Sequence, residues 1–165
     1  MRNPGVVWVM LAVAGLATGV LFSCSGPRPT QPNTEPPVPT TLQWVGTEVL
    51  YRDVPGKHDH SLLFVLATWC GWCKKLKAET LTDSTVIHIL GKSFNIAQID
   101  PDSDTLVAYA DSSVTCRGLA RTIYRVTGYP TVIVLNREGR ETSQIVGFRT
   151  ATALVKELEQ ILGVP

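Results

Sequence analysis

Residues 62–67, Leu-Leu-Phe-Val-Leu-Ala, run through Thr68 into Trp69-Cys70-Gly71-Trp72-Cys73-Lys74-Lys75. A continuous apolar run of this length is expected of a strand buried on both faces. The residues that follow, Lys74-Lys75-Leu76-Lys77-Ala78-Glu79-Thr80-Leu81, are mostly helix formers. Two cysteines therefore stand at a strand-to-helix junction, two residues apart.

Four uses of such a pair compete. Haem attachment requires His after the second cysteine, and Lys74 stands there. Zinc requires two further ligands. His58 and His60 lie upstream, across the strand, and there is no second Cys-x-x-Cys. A structural disulfide closing so short a loop restricts the unfolded chain little. Redox chemistry fits the position. The attacking species in thiol exchange is a thiolate. Free N–H groups and the dipole at a helix start favour negative charge. Cys70 is the expected nucleophile, with a lowered pKa. Cys73, about one turn on, is placed to resolve a mixed disulfide. Trp69 and Trp72 flank the thiols, as a shield from water or as packing. No metal or cofactor is implied.

Working outward, Phe94–Ile99 alternates as a strand, Thr131–Leu135 is another apolar strand, and Asn136–Gly139 reads as a hairpin turn leading to Glu141–Val146. Thr82-Asp83 breaks and recaps the helical region, which continues to Gly91. Arg117–Arg125 reads as helix, and Thr150 as the N-cap of a last helix over Ala151–Leu162. Leu42–Val45 and Val49–Tyr51 read as pieces of an edge strand, Pro55–His60 as a polar loop, and 101–114 as a polar stretch without a definite element. The order β-α-β-α-β-β-α implies an α/β domain with a central mixed sheet flanked by helices. Its β-α-β steps imply parallel strands, and its last hairpin an antiparallel pair.

Trp69-Cys70-Gly71-Trp72-Cys73-Lys74 after a buried strand, with Gly128-Tyr129-Pro130-Thr131 before another, resembles the thioredoxin superfamily over about residues 42–162. The resemblance implies a thioredoxin-like fold, a cis Pro130 against the cysteines, and a Tyr129 backbone that pairs with an extended substrate. It implies Cys70 and Cys73 as the catalytic pair and Trp69, Gly71, Trp72, Tyr129 and Pro130 as substrate-binding residues. The run from Cys70 to Val86 looks more like the C-terminal domain of the electron carrier DsbD and exported thioredoxin-related proteins than like cytosolic thioredoxin. Two positions depart from the family. Phe64 stands where a buried Asp is usual, and Ile96 where its Lys partner often is. Losing both together leaves no uncompensated charge, but it removes the usual proton acceptor for Cys73. Cys116 is left over, as a small buried apolar residue or as a second, regulatory or intermolecular thiol.

The N-terminal end reads as a targeting segment. Arg2 precedes Val6–Phe22, which is apolar apart from Thr18. Leu21-Phe22-Ser23-Cys24 resembles the bacterial lipobox, in which cleavage precedes a Cys that becomes lipidated; an uncleaved membrane helix is the alternative. Residues 25–41 hold six of the eleven prolines. They read as a semi-extended tether reaching roughly 50 Å at about 3.1 Å per residue. The layout is thus 1–23 signal, 24–41 lipidated Cys and tether, and 42–165 domain. Ser25 after the Cys is not the Asp that resembles an inner-membrane retention signal, so the same resemblance implies the outer over the inner membrane. A net charge of +1 argues against a nucleic-acid footprint. The combined expectation is a lipid-anchored thiol–disulfide oxidoreductase facing the periplasm. It would reduce protein disulfides of the envelope and be recharged by a membrane electron donor of DsbD type. Donation of a disulfide, isomerisation, or a non-catalytic peptide-binding module are the alternatives.

Overall fold

In a computed structural model of the protein, residues 40–52, 54 and 57–164 are described. The signal over 1–23, Cys24 and tether residues 25–39 lie outside the described residues.

Strand β1 (His60–Val65) is central. It pairs in parallel with β2 (Phe94–Ile99) and antiparallel with β5 (Thr131–Leu135), which pairs antiparallel with β6 (Glu141–Val146). The expected mixed sheet is present, in the order β2-β1-β5-β6. Only the first β-α-β step gives a parallel pair, which corrects the expectation for the second. Residues 100–130 form a separate hairpin, β3 (Leu106–Tyr109) with β4 (Ser112–Thr115), then helix α4 (Cys116–Gly118) continued by a π turn over Leu119–Ile123. That longer excursion returns the chain to the end of the sheet where β2 finished, so β5 enters reversed. In this register Thr131 lies opposite Val65. The start of β5 is thereby set beside the end of β1, where the cysteines follow.

The first piece is also corrected. Thr47–Tyr51 is a helix, α1, and Trp44 alone bridges Ile96 at the sheet edge. One reason is that Leu50 faces inward while its neighbours are half-exposed, a one-sided burial that a helical turn delivers. Buried Lys57 ties this helix down. Its ammonium donates to the carbonyls of Leu50 (2.9 Å), Arg52 (3.0 Å) and Arg137 (2.8 Å), which offsets the cost of burying the charge.

Period-two alternation sorts β1 and β5 between two cores. Leu62, Phe64, Val132 and Val134 join one face, with Leu154 and Leu158 of α5 (Ala151–Ile161) and Val86 and Leu90 of α3 (Ser84–Ser93). Leu63, Val65, Ile133 and Leu135 join the other, with Leu119, Ala120 and Tyr124. Asp83 caps α3 through the Thr85 and Val86 amides at 2.9 and 3.2 Å, and Thr150 caps α5 through the Ala153 amide at 3.4 Å. The α2 helix (Gly71–Lys75) runs on into a π turn over Leu76–Thr80, closed by Leu81 N–H donating to the Leu76 carbonyl at 2.9 Å.

Candidate active site

Cys70 is the N-cap of α2, with extended backbone, one position before the first helical turn. Its Sγ accepts the Cys73 backbone N–H at 3.1 Å. A sulfur thus does what a Ser or Asp oxygen does at other helix starts. Cys70 is 7% exposed and Cys73 2%, so Cys70 is the more exposed residue of the pair. Both are free thiols, and both belong to the core that holds Phe64 and Ile96.

That core sets the chemistry of Cys73. Burial pushes its thiol up to about 12, helped by the hydrogen bond and the charge of Cys70. An Ala67 main-chain hydrogen bond and the Lys77 ammonium pull the other way. Phe64 is fully buried and Ile96 nearly so, and Trp44 stands edge-on to Phe64 at 5.4 Å between ring centroids. Apolar rings and side chains fill the place where the family usually keeps its ionic pair.

The Tyr129–Pro130 peptide is cis. The Pro130 carbonyl accepts the Gly147 N–H at 2.7 Å, and Thr131 Oγ1 donates to the Gly128 carbonyl at 2.7 Å. Val65 opposite Thr131 brings this segment to the same end of the sheet as Cys70.

Two indoles frame the thiols, 66% exposed for Trp69 and 58% for Trp72. Neither is core packing. Trp69 stands edge-on to Tyr129 at 5.9 Å and donates its Nε1–H to Asp102 Oδ2 at 2.6 Å. Trp72 packs on Phe148 at 5.5 Å, and the Lys75 ammonium lies 5.4 and 5.1 Å from the two ring centroids. Gly71, between the cysteines, is exposed, and a Cβ there would meet nothing within 4 Å.

The structure therefore gathers Trp69, Cys70, Gly71, Trp72, Cys73, Tyr129 and Pro130 at one end of the sheet. Cys24 lies outside the described residues. His60 opens β1 at the opposite end, six strand residues or about 20 Å from where the cysteines begin, and His58 precedes it. Among the described residues no group of three or more His, Cys, Asp or Glu is placed to hold a metal. Cys116 is buried in the core on the other sheet face, its thiol raised by burial. Asp102, Arg121 and Phe148 also belong to the site, and sequence reasoning did not single them out as such. The cluster Asp100-Pro101-Asp102-Ser103-Asp104 was the available signal for the first.

Fold and site together define a class of protein: one presenting a Cys-x-x-Cys dithiol at a helix start, at the same end of the sheet as a cis-proline that precedes a neighbouring strand. The chain belongs to the family described as the thioredoxin-like domain, whose model matches residues 49–162. Among curated proteins it is 26% identical over 116 residues to the disulfide bond reductase DsbH of Chlamydia pneumoniae, covering 68% of this chain and 67% of that one. It is also 26% identical over 113 residues to a protein disulfide-isomerase of Ricinus communis, covering 68% of this chain and 20% of that one. The chain thus spans about a fifth of the length of the plant isomerases it matches. A solved DsbH oxidoreductase superposes with a TM-score of 0.58 at 23% identity, covering 86% of this chain and 96% of that one.

Proposed function

We propose that the protein is a membrane-tethered thiol–disulfide oxidoreductase that reduces disulfides of envelope proteins. The observation that carries this is Cys70, the more exposed residue of the pair, whose sulfur accepts the Cys73 amide at 3.1 Å at the end of the sheet where cis-Pro130 lies. The Cys70 thiolate attacks one sulfur of a client disulfide. A mixed disulfide forms, and the client's other sulfur leaves as a thiolate. The Cys73 thiolate then attacks the Cys70 sulfur, the Cys70–Cys73 disulfide closes, and the second client sulfur leaves. Two electrons pass to the client. A membrane dithiol donor of DsbD type returns them by the same exchange in reverse.

The reducing direction is supported by the name of the Chlamydia pneumoniae relative, a disulfide bond reductase. The lipobox-like Leu21–Cys24 and the proline-rich tether support a domain held off a bacterial membrane on its periplasmic side. Equilibrating the full chain with glutathione buffers tests the direction. A potential more negative than about −180 mV, with reduction of insulin, is the expected result. A less negative value, with oxidation of reduced clients, would make the protein a disulfide donor instead.

A further inference from the structure

We propose that Asp102 and Arg121 are positioning residues that lock the Trp69 indole as a preformed wall of the client site, favouring polypeptide disulfides over small ones. This rests on the reading of the Cys70–Cys73 pair as an oxidoreductase site.

An indole that is two-thirds exposed has little packing to hold it, and an unheld wall must be ordered each time a client docks. Trp69 is held from three other segments instead. It lies on the loop between β1 and α2. Asp102, on the loop after β2, accepts the indole N–H on Oδ2. The other oxygen of that carboxylate, Oδ1, is taken by the Arg121 guanidinium from the π turn after α4. The Asp102 main chain is fixed at both ends. Its N–H donates to Asp100 Oδ1 at 3.0 Å, and its carbonyl accepts Arg117 Nη2 at 2.8 Å. Arg117 is itself 3.4 Å from Asp104. Tyr129, just before β5, closes the other side with its ring edge-on.

The geometry leaves most of the indole surface open to a client and commits its polar edge to the protein. Both carboxylate oxygens are used, and among the described residues their partners are Trp69 and Arg121, not the thiols. The pair therefore acts on docking and not on the electron transfer itself. A disulfide within a polypeptide presents flanking side chains to such a wall; a small disulfide does not.

The test compares the full chain with Asp102→Ala, Asp102→Asn and Arg121→Ala variants, labelled with 5-fluorotryptophan. Oxidised insulin and the small aromatic disulfide of Ellman's reagent serve as substrates. In Asp102→Ala the Trp69 fluorine signal, identified with Trp69→Phe, shifts toward that of a free indole. KM for insulin rises about threefold to tenfold, the cost of immobilising one or two side chains. The redox potential stays unchanged, and the rate with the small disulfide falls less than kcat/KM for insulin. Asp102→Asn, which keeps an acceptor for the indole, restores most of the KM, and Arg121→Ala moves it in the same direction as Asp102→Ala. An unchanged insulin KM despite a shifted fluorine signal overturns the proposal, as does an unshifted signal or an equal loss with both substrates. Absence of disulfide exchange in the unmodified chain is a separate result. It overturns the oxidoreductase reading, and with it the role in client docking, while the fluorine signal still reports whether Asp102 holds the ring.

Discussion

Cys73 carries the least usual chemistry of the site. Its thiol, raised to about 12 chiefly by burial, is ionised only to about one part in 10⁵ at neutral pH. A raised value preserves the protonated form, so the step that needs the Cys73 thiolate is slow at low pH and accelerates as pH rises. Once Cys70 is bonded to a client its own charge no longer opposes Cys73, but burial remains. Single-turnover release of the client should therefore speed up about tenfold per pH unit across neutrality and level off below about 12. Release that is flat from pH 6 to 9 would mean a proton acceptor serves Cys73 after all. Gly71 offers a second check. Its missing Cβ faces open space, so Gly71→Ala should fold with an unchanged or higher melting temperature, Ala being favoured in helices by up to about 1 kcal/mol. The added methyl group should raise KM for insulin and leave the small disulfide unaffected. Equal effects on both substrates would show that no client approaches there.

At the scale of elements, the turn between β5 and β6 depends on one backbone conformation. Gly139 has φ +74°, and a Cβ there would lie 2.9 Å from the Leu50 carbonyl oxygen and 2.9 Å from Tyr51 Cα. Gly139→Ala should cost about 1–3 kcal/mol, read as a lower melting temperature. The redox potential should not move, since Leu135 and Ser61 place this turn at the end of the sheet away from the cysteines. A shifted potential would contradict that separation. The same turn shows what was legible beforehand. Asn-x-x-Gly after an apolar strand names a hairpin, and the bounds of β2 and β5 follow from alternation and an apolar run, while the mostly polar β6 follows as the return of that hairpin. The β3–β4 hairpin was not legible, because Leu106–Tyr109 and Ser112–Thr115 bury little and lie among Asp, Ser and Thr. α1 was misread because five residues are too few to separate a period of 3.6 from one of 2.

For the molecule as a whole, the central pairing of strands explains why two distant motifs meet. Cys70 and Pro130 are brought together by one register, Val65 opposite Thr131. The pair of motifs could be read from sequence, since each has a sharp chemical reason. The brace of Trp69 could not, because Asp102 and Arg121 reach it only through the excursion over residues 100–130. The apolar residues Phe64 and Ile96 were visible in advance, and they share the core that buries the raised thiol of Cys73. Anchoring is tested on the whole chain by mass spectrometry of the membrane-bound form. An acylated N-terminal Cys24 is expected, and an intact Met1 would refute it. The division of labour between the thiols is tested most directly by trapping. The full chain with Cys73→Ser, mixed with oxidised client protein, should accumulate a mixed disulfide through Cys70, and the chain with Cys70→Ser should accumulate none. Equal trapping by both variants, or by neither, would contradict the assignment of Cys70 as nucleophile and Cys73 as the thiol that releases the client.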